Sequence, residues 1–309
     1  MNHTRPPQSL FPKGLIAPNL TPFRPDYSID TPRYIAHAER LLEDGCVALA
    51  PFGTTGEALS VGIDERIATL KALIAAGVDP ARLMPGSGLT NLAESAYLSK
   101  ACLDLGCAAV MVLPPFYFKD VPDDGLFAYF EQFVETVNRD DLKVCLYHIP
   151  PVAGVGIPPA LVARLSSAFP EQIVAIKDSS GDWSNTGELL SIDGLTVYPG
   201  SELVVVEAMD RGAPGCISAF ANVNARGIIA IINACLDGQV SEARDLQAAA
   251  AEFRKTVRAY GPINAMKRLL AMESGEEDWA IVRPPLVRLS SEAGKELRER
   301  LAVAEEPVA

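Results

Sequence analysis

Lys177 closes the apolar run Ile173-Val174-Ala175-Ile176, and a Ser-Ser-Gly-Asp turn follows close behind it. A short apolar run bounded by turn residues reads as a buried strand, so the lysine stands at a strand's C-terminal end. A lysine held there either snorkels its ammonium to water or loses hydration. A dehydrated ammonium gives up its proton more readily and becomes an amine nucleophile toward a carbonyl. The competing reading is a strand-end lysine paired with Asp178 or Asp182, because lysine is seldom buried without a partner. Other reactive side chains also follow apolar runs: Tyr147 in VCLYHI, Thr54 and Thr55 in the turn Gly53-Thr54-Thr55-Gly56-Glu57, Tyr117 after AVMVL, Gly200, Ser201 and Glu202 after LTVY, and Ser218 in GCIS. Amine, phenol and hydroxyls together suit one chemistry. The amine condenses with a 2-keto acid to an imine, whose cationic nitrogen accepts electrons as a neighbouring bond breaks. Tyr147 can shuttle the proton, and the Gly-Thr-Thr-Gly turn can offer N–H groups and hydroxyls to a carboxylate. Taken singly, Tyr147 could be a core aromatic, the threonines turn caps, and Ser201 and Ser218 ordinary turn residues. Their recurrence at successive strand ends favours the catalytic reading.

The elements that must position these residues alternate along the chain. Apolar strand signals fall at residues 14–21, 47–52, 83–88, 108–113, 144–149, 173–177, 195–198 and 216–219. Helical spacing falls between them, at 31–44 (Thr31 as cap, Pro32 at the first position), 64–76 (capped by Asp64), 91–105, 125–138, a segment opened by Pro158, 185–191, 202–211 and 224–236. Eight strands alternating with eight helices predict the α/β class and a closed (β/α)8 TIM barrel. A doubly wound open sheet would carry a Gly-rich turn after its first strand, where this chain has Pro18-Asn19-Leu20-Thr21-Pro22. In such a barrel the strand C-termini share one face, which gathers Thr54, Thr55, Glu57, Tyr117, Tyr147, Lys177, Gly200, Ser201, Glu202 and Ser218. Three more helical runs follow, at 241–260, 262–272 and 292–302. The expected division is a barrel with its active site over residues 1–236 and a C-terminal helical domain over 237–309. The helical faces of that domain must bury against the barrel or a second subunit. The proline-bearing lead-in, residues 1–13, is expected on the surface.

Composition excludes several classes of function. The 309 residues carry 27 Lys and Arg against 39 Asp and Glu, a formal charge of −12, with no basic block to follow a phosphate backbone, so nucleic acid is not an expected partner. The six cysteines include no C-x-x-C pair, and His3, His37 and His148 are far apart with no H-E-x-x-H, so no metal site is expected. The N-terminus has no apolar signal region, and no apolar run nears the roughly 20 residues of a membrane span. A cytoplasmic protein with buried free thiols is the expectation.

Three motifs then become recognisable in their order and spacing: G-T-T-G-E at 53–57, Y-H-I-P at 147–150 and I-K-D-S-S-G-D at 176–182. The chain resembles the dihydrodipicolinate synthase and N-acetylneuraminate lyase family of class I (Schiff-base) aldolases and lyases. The likeness runs from about residue 14 to 224 and is weaker through the C-terminal helices. The resemblance implies a barrel with a C-terminal helical domain, usually a homotetramer built from dimers. It also implies action on pyruvate or a pyruvate-containing 2-keto acid without metal or organic cofactor. By position, Lys177 matches the imine-forming lysine and Tyr147 the proton-relaying tyrosine. Thr54 and Thr55 match the pair that binds the pyruvyl carboxylate, with Thr54 linked to the tyrosine. Tyr117 looks like the tyrosine that reaches across the dimer contact into the neighbouring site, and Gly200 and Ile217 match positions whose carbonyls line the pocket.

Departures from the family pattern bear on the substrate. Lysine-pathway synthases place an arginine five residues after the tyrosine, where it grips the carboxylate of aspartate semialdehyde; here that position is Val152. Loss of a bidentate clamp costs about 2 to 4 kcal/mol of transition-state binding. YHIPPVAGV is similar to the sialate lyase and 2-keto-3-deoxy sugar acid aldolase branch. Yet Leu203 stands in the second of the acidic places that hold the sugar chain in sialate lyases, and GCISAF lacks their Gly-Ser-Thr. The expected activity is retro-aldol release of pyruvate from a 2-keto-3-deoxy sugar acid or similar hydroxy 2-keto acid. A dehydratase or deaminase using the same imine, the lysine-pathway synthase, and a non-catalytic keto-acid binding protein are the alternatives.

Overall fold

The short apolar runs form parallel strands of two to six residues in a computed structural model that describes residues 11–305. Residues 1–10 of the lead-in, with His3, and 306–309 of the C-terminal segment lie outside the described residues. The strands are β1 Gly14–Ala17, β2 Ala48–Leu49, β3 Val110–Val112, β4 Val144–His148, β5 Ile173–Asp178, β6 Thr196–Pro199 and β7 Gly215–Ile217. One ribbon has the order β2-β1-β7 and another β3-β4-β5-β6. The expected third strand, residues 83–88, is not continuous. It joins the ribbons through two single parallel bridges, Leu49 with Leu83 and Gly86 with Met111. Pro85 has no N–H to give a ladder, and at Gly86 the backbone runs so close to the neighbouring turn that a Cβ would meet the Phe52 carbonyl oxygen at 2.3 Å. The segment still fills a strand's place: Met84 N donates to Leu49 O at 2.9 Å and Ser87 N to Met111 O at 3.0 Å. With β6 packed beside β7, eight strand positions close the (β/α)8 barrel.

The helices are α1 Thr31–Glu43, α2 Ile63–Ala75, α3 Leu92–Asp104, α4 Asp123–Val137, α5 Pro150–Ala153, α6 Pro159–Ala168, α7 Trp183–Leu189, α8 Val205–Asp210, α9 Ala221–Leu236, α10 Val240–Arg258, α11 Pro262–Ser274 and α12 Ser291–Glu305. Two caps differ from expectation. Asp30, not Thr31, caps α1, accepting from Arg33 N at 3.3 Å. At α2 the cap is Gly62, whose N–H donates to Glu65 Oε2 at 2.9 Å, while Asp64 lies in the first turn, where its charge meets the positive helix end. The single turn α5, unforeseen, follows because two prolines preset helical φ after Ile149.

Inside the barrel small residues (Ala48, Ala109, Cys145, Ala175) let the strands converge around Ile16, Met84, Met111 and Tyr198. Phe11 joins this inner cluster at 5 % exposure, so the expected surface lead-in turns inward at its end. The described cysteines are free thiols, and all but half-buried Cys235 are buried. No helix among the described residues is long and apolar enough to cross a membrane. On the C-terminal helices, Ala243, Ala250, Val257, Leu297 and Leu301 are buried.

Candidate active site

Period-two alternation along β4 and β5 turns Cys145, Tyr147, Ala175 and Lys177 into the barrel. The register between these strands shifts by one residue: Val144 faces Ile173, but Cys145 faces Ala175, leaving Val174 as an extra residue. This bulge sets Lys177 opposite Tyr147; an unbroken register would have set outward-facing Ile176 there. On the other side Lys177 faces Tyr198 of β6. The lysine therefore lies between two tyrosines, and Tyr198 carried no sequence signal beyond its apolar surroundings.

Lys177 is 4 % exposed. Its Nζ donates to the Tyr147 hydroxyl at 3.4 Å and sits 4.4 Å from that ring's centroid. The Tyr147 hydroxyl also lies 3.4 Å from Thr54 Oγ1. Such long hydrogen bonds are common in unliganded sites and tighten on binding. The competing reading of Lys177 as half of an ion pair fails. Asp178 points to the other face, accepting from Ser180 N at 2.9 Å and Thr186 Oγ1 at 2.6 Å, and Asp182 caps α7. Beneath the row, burial pushes the Cys145 thiol up to about 12, so it offers no thiolate. His148 lies on the outer side, its Nδ1 accepting from Ile157 N at 2.8 Å, and burial holds its pKa down.

The Gly-Thr-Thr-Gly-Glu turn is pinned from three sides. Ala58 N donates to Gly53 O at 3.2 Å, Thr21 Oγ1 donates to Gly56 O at 2.7 Å, and Glu57, in left-handed conformation at φ 55°, is drawn away from the strand ends. This corrects the expectation for Glu57. Its carboxylate is buried against Lys267 of α11 and accepts from Arg283 N at 3.0 Å, while Lys267 also donates to Ile281 O at 2.7 Å. Burial lowers Lys267 to about 8. The threonines remain facing inward, Thr55 at 8 % exposure. Their backbone N–H groups have no acceptor among the described residues, which suits a bound carboxylate.

A cavity of about 410 Å³ brings together Thr54, Thr55, Tyr147, Lys177, Gly200 and Ser201. At Gly200 a Cβ would meet Ser179 Oγ at 2.0 Å, so the chain passes there only as glycine. Ser201 caps the turn after β6, accepting from Leu203 N at 3.2 Å. Gly53 lies in an adjoining apolar recess that shares Thr54 and Tyr147 with the cavity. Ile217 is fully buried in the inner cluster, and Ser218, also fully buried, donates to Glu202 behind the cavity wall. Tyr117 is not brought to the cavity of its own chain: it is 78 % exposed, its ring edge-on to Phe118. The remaining wall was unforeseen. Arg254 and Arg258 of α10 and Ile263 and Met266 of α11 cover the barrel mouth; only the fold shows that these helices double back over the strand ends.

Comparison with known proteins identifies the family and the fold. The sequence profile of the Dihydrodipicolinate synthetase family matches residues 11–304. An uncharacterized DapA-like lyase of Chloroflexus aurantiacus is 34 % identical over 292 residues, 93 % of this chain and 95 % of that one. The crystal structure of a dihydrodipicolinate synthase from Agrobacterium tumefaciens superposes with a TM-score of 0.86 at 34 % identity, covering 95 % of this chain and all of that one. A prophage protein of the dihydrodipicolinic acid synthase family from E. coli K12, YagE, solved in complex with pyruvate, gives 0.86 at 25 % identity, covering 95 % and 98 %.

Proposed function

This chain belongs to the dihydrodipicolinate synthetase family, and from that premise we propose that it is a Schiff-base lyase that releases pyruvate from a hydroxy 2-keto acid, such as a 2-keto-3-deoxy sugar acid. The observation that carries the reading is the buried Lys177 amine, without a carboxylate partner among the described residues, 3.4 Å from a phenol that itself reaches Thr54. The substrate's carboxylate lies against Thr54, Thr55 and their amides. Lys177 Nζ adds to the keto carbon, and loss of water gives the iminium. Tyr147, left as a phenolate once its proton has gone to the departing water, takes the proton of the C4 hydroxyl, the C3–C4 bond breaks, and that bond's electrons pass to the iminium nitrogen as an aldehyde departs. The remaining enamine is protonated at C3 and hydrolysed to pyruvate, freeing the lysine.

A second reading, condensation of pyruvate with aspartate semialdehyde, is favoured by the Agrobacterium synthase's likeness. Against it, Val152 lines the cavity where that reaction's arginine would stand. Expulsion of the C4 hydroxyl or of an amine instead of C–C cleavage would use the same iminium. Borohydride treatment with pyruvate, read by intact mass and peptide mapping, should leave one reduced pyruvyl adduct on Lys177. A folded protein that forms no adduct would overturn the imine mechanism. Assay of pyruvate release against water or ammonia loss then separates the reaction types.

A further inference from the structure

The wall supplied by α10 is cationic in a protein of formal charge −12. Arg254 and Arg258 stand four residues apart and so share one face of that helix, and both line the cavity that holds Lys177. The acidic residues that line the same cavity are already engaged, Asp178 by Ser180 and Thr186 and Asp182 by the α7 cap. Arg254 is held from behind. Glu202, 1 % exposed, accepts from its Nη1 at 3.2 Å and from Ser218, and the guanidinium carbon lies 4.6 Å from the Phe220 ring centroid. Its Nε is buried without a partner among the described residues. Arg258 is exposed and makes no ion pair among the described residues. A guanidinium kept in place by a buried carboxylate, with donors unspent, beside a second unpaired guanidinium, is poorly matched to an uncharged aldehyde half. It is well matched to an oxyanion.

We infer that Arg254 and Arg258 form an anion subsite for a second charged group, a carboxylate or a phosphate, at the far end of the 2-keto acid, so that the preferred substrate is a dianion. This rests on the imine reading above. The arginines provide, from a helix beyond the barrel, the charge that Val152 does not.

Equal amounts of 2-oxoadipate and 2-oxohexanoate, six-carbon 2-keto acids that differ in one terminal carboxylate, compete for Lys177 under borohydride, and the two adduct masses are compared. Charge-assisted hydrogen bonds to the diacid should favour its adduct by about 10- to 100-fold. Arg258→Gln, at an exposed position that need not disturb folding, should cut that ratio about tenfold, and Arg258→Lys should restore part of it. A 6-phosphorylated 2-keto-3-deoxy sugar acid against its unphosphorylated parent, read as kcat/KM for pyruvate release, distinguishes phosphate from carboxylate as the bound group. A preference in either pair that Arg258→Gln reduces supports the subsite. No preference in both pairs, or one that Arg258→Gln leaves unchanged, overturns it while pyruvate trapping keeps the imine reading intact. No pyruvate adduct at all would overturn both.

Discussion

A phenol placed 3.4 Å from an amine on one side and 3.4 Å from a threonine hydroxyl on the other can pass a proton in either direction. Tyr147→Phe removes that route and keeps the ring beside Lys177 Nζ. Turnover should fall about 10²- to 10⁴-fold while pyruvate can still be trapped on Lys177; turnover within a few-fold of the parent would assign the proton transfer elsewhere. At Gly200 the constraint is steric. The Cβ of Gly200→Ala would meet Ser179 Oγ at 2.0 Å and the Asp178 carbonyl oxygen at 2.9 Å, so the variant should lose about 1–3 kcal/mol of stability. Denaturant midpoints test this, and Ser179→Gly in the same chain should recover part of the loss.

Between elements, the buried pair of Glu57 and Lys267 ties the turn at residues 53–57 to α11. Lys267→Met leaves a carboxylate buried without its counter-ion and should cost about 3–5 kcal/mol, whereas adding Glu57→Gln should return much of it. If the double variant is as unstable as the single one, the loss lies in packing and not in the unpaired charge. The element that aims the lysine is subtler. Val174 is one more apolar residue in an apolar strand, yet as the extra residue of the bulge it decides that Lys177, and not Ile176, stands across from Tyr147.

For the whole molecule, acid stability follows from a histidine at the junction of α1 and α9. His37 Nε2 donates to Asn222 Oδ1 at 2.7 Å, and burial lowers its pKa to about 3. The unfolded chain takes up a proton near pH 6.5 that the folded protein refuses, so stability drops as pH falls through the window from about 6.5 toward 3. Between pH 7 and 5 this residue should account for about 2 kcal/mol, and His37→Asn should flatten the profile of unfolding midpoint against pH by that amount. At the rim, Tyr117 and Phe118 are 78 % and 68 % exposed, which is costly for a lone chain. Sedimentation should therefore give a particle larger than the 33.0 kDa protomer, and a monomer at assay concentration would remove the expected role of Tyr117 in a neighbouring site.

Much of this protein is written locally. Alternating apolar runs and helical spacings specify the barrel because burial of short parallel strands demands them, and residue type together with recurrence at strand ends marks Lys177, Tyr147 and the two threonines as candidates for chemistry. Strand boundaries were less legible: residues 83–88 look like their neighbours, and Pro85 together with the close approach of Gly86 to the Phe52 carbonyl reduces them to bridges. Glu57 shares the polarity of Thr54 and Thr55, but a partner 210 residues away draws it out of the site. Arg254 and Arg258 belong to a helix with no strand to anchor it in the pattern, so nothing local says which surface it covers. Sequence alone determined the fold class and the candidate reacting groups, because these depend on periodicity and chemistry within a few residues. The aim of the lysine, the exclusion of Glu57 and the cationic wall were decided by tertiary structure, because each depends on a register or a contact between segments far apart in the chain.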